Sequence, residues 1–226
     1  IVVKYRLGLS EEGLSSDAQI RSNGVSRMFS EYSAKAEAES LTSNGGIAPL
    51  SFKLVRANSD PKKHVTLQWG AGGITYVPQE KKAERRARIE TALTDDVADP
   101  MTAVLRIGTA GEDPCPSVQQ VFDGRDVYEL SLSDKGAGKL DGESAWRWPV
   151  RVCEVNWTPI AGRAAEKNEP RESYEVSFAA VGDLPNGRTL WLPVALNGKL
   201  KGIRFDAYAS RIKRQAVAEG GAESGE

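Results

Sequence analysis

The chain has 226 residues, of which 40% are hydrophobic, enough for a sizeable buried core and within the size at which an all-β chain forms one domain. Thirty Lys and Arg nearly cancel 31 Asp and Glu, leaving a formal net charge of −1. No global field therefore draws the chain onto nucleic acid or anionic lipid. No apolar run approaches the roughly 20 residues of a membrane-spanning helix, and one His with two Cys falls short of the ligand set of a structural zinc site.

In residues 1–7, Ile1, Val3, Tyr5 and Leu7 alternate with Lys4 and Arg6, the period of a half-buried strand. Because strand pattern begins at once and without Met, removal of an upstream leader or anchor is expected. Residues 24–29 place Val25, Met28 and Phe29 at helical spacing, which predicts a short helix plugging the sheet. Residues 32–39 set Ala34, Ala36 and Ala38 opposite Lys35, Glu37 and Glu39. Such small inward residues predict a helix or second sheet in close approach. Strands follow at 50–55, 65–69 and 74–77, the last two joined at Gly72-Gly73.

Residues 80–91 have helix-forming composition, yet Lys81, Lys82, Arg85, Arg86 and Arg88 with few apolar partners fit a solvated loop equally well. A helix is predicted from Asp99, a good N-cap followed by Pro100 at the first helical position, through Met101, Val104 and Leu105. Further strands fall at 118–122, 127–132, 150–157, 174–180, 190–196 and 202–209. Asp123-Gly124, Asn186-Gly187 and Asn197-Gly198 are read as hairpin turns, and residues 161–171 as a surface loop. Residues 1–214 thus form a single mainly β domain, an antiparallel curved sheet or an open or closed β-barrel with one or two short helices. Residues 215–226 form a polar tail expected to be disordered.

Cys115 sits between Pro114 and Pro116 at a strand entrance, while Cys153 lies inside an alternating strand. The pair reads as a disulfide, which implies an oxidising compartment and contributes about 4 kcal/mol in the chain-entropy estimate. The alternative is two separately buried thiols.

Catalytic apparatus is not recognisable. His64 would be the base for any Ser nucleophile, but it follows Pro61-Lys62-Lys63 and no Gly-x-Ser-x-Gly elbow accompanies it. The carboxylate pairs Glu11-Glu12, Asp95-Asp96 and Glu112-Asp113 read as solvated loops, and Asp95, Asp96 and Asp99 lack a calcium-loop pattern. No metal site or cofactor is predicted. Core packing is the first reading of Trp69, Trp146, Trp148, Trp157 and Trp191. The sharper reading lines an apolar groove with Trp157, Phe178, Trp191 and Phe205 for a lipid chain or a partner's hydrophobic segment, with Arg147 and Arg151 at its rim for an anionic group.

Several segments in order resemble the bacterial family catalogued as domain of unknown function 3108, in particular its alphaproteobacterial members. They are residues 22–29, 99–105, Cys115 followed by Val121-Phe122-Asp123-Gly124 and Tyr128-Glu129-Leu130-Ser131-Leu132, Cys153 leading to Trp157-Thr158-Pro159-Ile160-Ala161-Gly162, and Leu192-Pro193-Val194 with the strand through Phe205. The resemblance implies an exported, periplasmic or envelope-facing protein with a curved sheet or open barrel, akin in shape to the Lol-type lipoprotein carriers, and no established reaction. The chain departs from the pattern between Leu9 and Ser22, which looks short for a full hairpin, and in an abbreviated loop between Gly162 and Tyr174. The expected function is a non-enzymatic periplasmic binding or scaffolding protein in cell-envelope maintenance, holding a lipid or lipidated partner in its apolar concave face. The alternatives are a protein–protein interaction module with a filled core, docking through a sheet edge or the basic 81–88 segment, and, third, an envelope-polymer hydrolase.

Overall fold

The computed structural model describes residues 2–10, 13–21, 33–43, 46–57, 64–77, 80–139, 149–168, 172–184, 187–200 and 203–209. Among these residues it is mostly β, with two antiparallel sheets, a curled half-barrel and three short helices. Strands β1 (Val2–Leu9), β2 (Gly13–Arg21), β3 (Ser33–Ser43), β4 (Gly46–Arg56), β5 (Val65–Gly70) and β6 (Gly73–Val77) form the first sheet, each paired with the next. Helices α1 (Ala83–Ala92) and α2 (Pro100–Gly108) then lead into the second sheet. Its strands β7 (Ser117–Phe122), β8 (Val127–Gly138), β9 (Val150–Ala161), β10 (Glu172–Asp183), β11 (Thr189–Leu200) and β12 (Ile203–Tyr208) again pair in chain order. The short helix α3 (Arg163–Glu166) lies between β9 and β10. Both sheets are meanders, as sequential hairpins dictate.

The alternation at Ala34, Ala36 and Ala38 is realised: all three are buried, and their small side chains leave room for what packs above them. One core cluster joins Ala18, Ala36, Ala38, Phe52, Val65, Leu67 and Tyr76 of the first sheet to Ile89 of α1, Met101 of α2, and Phe122 and Val127 of the second sheet. Tyr76 and Phe122 meet edge to face across the two sheets, with centroids 5.1 Å apart. Helix α2 touches β3 and β4 on one side and β7 and β11 on the other. Consistent with that placement, Met101, Thr102, Ala103, Leu105, Ile107 and Gly108 are all buried. An ordinary surface helix buries one stripe; this one is covered on nearly every side.

Asp99 caps α2 as expected, accepting hydrogen bonds from the amides of Met101 at 2.8 Å and Thr102 at 3.0 Å. Just before it, Ala98 bridges in parallel to Val121 of β7, so the helix entrance is stitched to the second sheet. Arg106 ties the other end back to the first sheet, donating from Nε to the Ile47 carbonyl at 2.7 Å.

One reading left open is decided, and three expectations are corrected: the surface loop at 161–171, where β9 runs to Ala161 and α3 buries Ala164 behind it, the short hairpin after Leu9, and the Asn197-Gly198 turn. Residues 83–92 are a helix: Ile89 is fully buried and Arg85 nearly so, the latter held between Glu80 and Glu166, so tertiary partners supply what composition left open. The stretch after Leu9 carries a full strand, β2, whose inward residues Leu14, Ser16 and Ala18 include a buried serine that masks the alternation. Where β1 and β2 meet, the Ser10 hydroxyl donates to the Gly13 carbonyl at 3.0 Å. Asn197-Gly198 is not a turn but lies within β11, where Gly198 pairs with both Tyr174 and Phe205. The expected helix at 24–29, Trp146, Arg147, Trp148 and the 215–226 tail lie outside the described residues.

Helix α2 ends in Gly108 because a Cβ there would fall on the Trp191 carbonyl oxygen of β11. Gly108→Ala gains about 1 kcal/mol of helix propensity yet forces helix and strand apart. The expected outcome is a net loss of about 2 kcal/mol, read as a lowered urea midpoint; an unchanged or higher midpoint contradicts the close approach.

Candidate functional site

The cysteine pair forms a disulfide. Cys115 and Cys153 are bonded with their Cα atoms 5.2 Å apart across a separation of 38 residues, and both are fully buried. The bridge pins the segment entering β7 onto β9. Asp113 organises that segment, accepting the Cys115 amide at 2.9 Å and the Arg151 guanidinium at 3.0 and 2.5 Å. Arg151 also reaches Asp134 at 3.2 Å. The Arg151 guanidinium, ahead of the Cys115 amide, holds the Asp113 carboxyl below its ordinary pKa. The predicted rim arginine is thus engaged by two carboxylates beside the disulfide.

Register shows which groove residues share a surface. Directly paired residues of antiparallel strands face the same side. Tyr174 pairs with Val155, Val176 with Cys153 and Phe178 with Arg151, while Leu130 pairs with Trp157 and Ala180 with Trp191. Trp157, Phe178, Trp191 and Arg151 therefore belong to one face of the second sheet, the face that carries the disulfide. Phe205 occupies the register row of Gly198, Tyr174 and Val155. Its side chain lies outside what the structure describes.

The residues on this face differ in how deeply they are covered. Phe178 is core: it packs with Ile107 of α2, Leu132, Val155 and the disulfide, and Trp191 leans on the same cluster while its Nε1 donates to the Gly111 carbonyl at 3.3 Å. Trp157 lies farther along β9 against Tyr128, with ring centroids 5.7 Å apart. Trp157, Tyr174 and Val176 are half-buried, and Leu196, paired with Val176, is exposed. One apolar face thus has two zones, a filled zone under α2 around Phe178 and Trp191 and a more open one around Trp157, Tyr174, Val176 and Leu196.

A buried polar chain that the sequence did not reveal ties the start of α2 to the first sheet. Asp99 Oδ2 accepts from the Thr102 hydroxyl at 2.5 Å, and that hydroxyl shares a hydrogen bond of 2.8 Å with Ser40 of β3. Burial pushes the Asp99 carboxyl above its ordinary pKa, against the opposing effect of the Thr102 hydroxyl and the helix amides. Tyr5 of β1 is pushed up to about 12, first by burial and further by the negative charge of Asp99. The signal available in the sequence was Thr102 three residues after the cap, but its partner Ser40 is 62 residues away in the chain.

Nothing in this set makes a nucleophile–base pair. His64 is half-buried at the entrance to β5. Among the described residues no group of three or more His, Cys, Asp and Glu could hold a metal ion, and no helix is long and apolar enough to cross a membrane. Comparison with family models, with curated proteins and with solved structures returned no match.

Two measurements test this frame. Cys115→Ala with Cys153→Ala is expected to lower stability by about 3 kcal/mol, a melting point lower by roughly 10 °C; equal melting points under oxidising and reducing conditions contradict a structural bridge. Asp99→Ala should cost about 2 kcal/mol through the lost cap and orphaned Thr102. The pH dependence has a definite sign. With its folded pKa raised, Asp99 favours the folded state while protonated, and that contribution fades as pH rises from the ordinary carboxylate value through the folded one. Asp99→Asn keeps an acceptor for the helix amides and cannot ionise, so denaturation series should show its stability gaining on the wild type as pH is raised across that window. A constant difference would place Asp99 in an unperturbed setting.

Proposed function

We propose that this chain is a non-enzymatic binding or scaffolding protein of the bacterial periplasm, acting in cell-envelope maintenance, and that it holds an acyl chain or a lipidated partner's chain against the concave face of its second sheet. The observation that carries the reading is the apolar face shared by Leu130, Trp157, Tyr174 and Val176, which extends beyond the zone that α2 fills and ends at the exposed Leu196. A disulfide is consistent with an oxidising exported compartment. Ligand pockets are mostly apolar with few polar groups, which this surface resembles.

The filled zone favours a second reading. Because α2 occupies the space between the sheets with Met101, Leu105 and Ile107 buried, the chain can equally serve as an interaction module with a solid core. Titration with a fluorescent fatty acid separates the two. The carrier reading expects saturable binding that quenches Trp emission, weakened at least tenfold by Trp157→Ala and by Leu196→Asp. Absence of saturable binding, together with no acyl chain on the gently purified protein in native mass spectrometry, would leave only the interaction module.

A further inference from the structure

At the other end of β9 from the disulfide, helix α1 and the strand border an open recess of about 340 Å³. Its lining is Ala87, Arg88, Thr91 and Ala92 from the helix with Ile160 and Ala161 from the strand. Ile160 is 43% exposed, an unusual position for a large aliphatic residue beside a concavity. Arg88 is not available as a free charge, since it joins Arg85 in gripping Glu166 of α3; its stem forms part of the wall. Glu80 completes the clamp, pairing with Arg85 at 2.9 Å. The clamp fixes α1, α3 and the end of β9 as one surface and consumes both of those carboxylates.

What remains around the recess is an unbalanced field. Lys81 and Lys82 at the start of α1, Arg163 on α3 and Lys167 just after it are all exposed, and none makes an ion pair among the described residues. Against these four cations stand the exposed Glu84, Asp95 three residues beyond Ala92, and Glu129 paired with Thr158 beside Ile160, while Glu90 is shared with Arg86 at 3.9 Å, so the excess is confined to the α3 side and the start of α1. The whole chain is nearly neutral, so this local excess is a feature of the surface and not of composition.

We propose that the recess between α1 and β9 docks an acidic segment of a partner protein, one aliphatic or aromatic side chain entering between Thr91 and Ile160 while flanking Asp or Glu residues meet Lys81, Lys82, Arg163 and Lys167. The shape decides between partner classes. A membrane surface is met by apolar groups that protrude from a basic face, whereas here the apolar element is concave and of a size for one anchoring side chain, the arrangement of a protein hot spot. The basic rim sets orientation and encounter rate, and its contribution falls with salt. This site is separate from the concave face of the second sheet and does not depend on it.

The test uses the intact, oxidised protein and two fluorescein-labelled peptides of twelve residues, rich in Asp and Glu, with a central Leu or a central Ser. Fluorescence anisotropy should show the Leu peptide binding at least tenfold more tightly than the Ser peptide. Thr91→Trp, which fills the recess from an exposed helix position, should weaken the Leu peptide at least tenfold. K82E with R163E should do the same and flatten the salt dependence. If Thr91→Trp shifts the melting point, Ile160→Ser provides the second probe of the recess. Equal affinity for the two peptides, or binding untouched by either recess variant, overturns the proposal. Phosphatidylglycerol vesicles are the competing probe: vesicle binding lost in the charge reversal, with no peptide binding, would make the surface a membrane contact instead.

Discussion

Everything else in this fold depends on burying helix α2 between two sheets that, among the described residues, share no paired strands. The helix is nine residues long, too short to be stable on its own, so its helicity is supplied by what surrounds it. Asp99 satisfies two of the amides at its start, Gly108 lets its last turn lie on the β11 backbone, and its apolar side chains fill the gap between the meanders. In return the helix gives each sheet a partner for part of its inner face, beside the direct contact of Tyr76 with Phe122.

The cost of this arrangement is a carboxylate placed where solvent does not reach. Asp99 is fully buried, and its capping bonds offset only part of the desolvation, which is why its pKa moves upward. The Thr102 and Ser40 hydroxyls extend the polar contact to β3, so the helix start is fixed to both sheets by directional bonds as well as by packing. Directional bonds of this kind select one register of helix against sheet, which apolar contact alone leaves loosely specified.

At the periphery, covalent and ionic clamps take over from packing. The disulfide and the Asp113–Arg151–Asp134 group hold the entrance of β7 against β9. The Glu80–Arg85–Glu166–Arg88 group holds α1 against α3. These two clamps sit at opposite ends of β9, and each borders one of the surfaces proposed here for binding. Rigid supports beside a binding surface keep it formed in the absence of ligand, which reduces the ordering cost of association.

Much of this was legible in the sequence. Period-two alternation gave most of the strands, the Asp99-Pro100 cap gave α2, Asp123-Gly124 gave the β7–β8 hairpin, and the setting of Cys115 and Cys153 gave the bridge, because each of these signals is local chemistry written into neighbouring residues. Strand β2 escaped because buried Ser16 reads as polar, and α1 stayed ambiguous because the partners that hold Arg85 are not on the helix itself: Glu80 lies just before it and Glu166 lies 81 residues from Arg85. The groove aromatics were recognisable as residues, but only strand register could put Trp157, Phe178 and Trp191 on one face, and only the path of α2 could decide which of them became core. The sequence by itself determined a disulfide-pinned antiparallel β chain with a capped helix, since hydrophobic period, cap and turn residues act over a few positions. The tertiary structure alone decided the two-sheet division, the buried Asp99–Thr102–Ser40 chain and the recess beneath α1, since each depends on contacts between residues far apart in the chain.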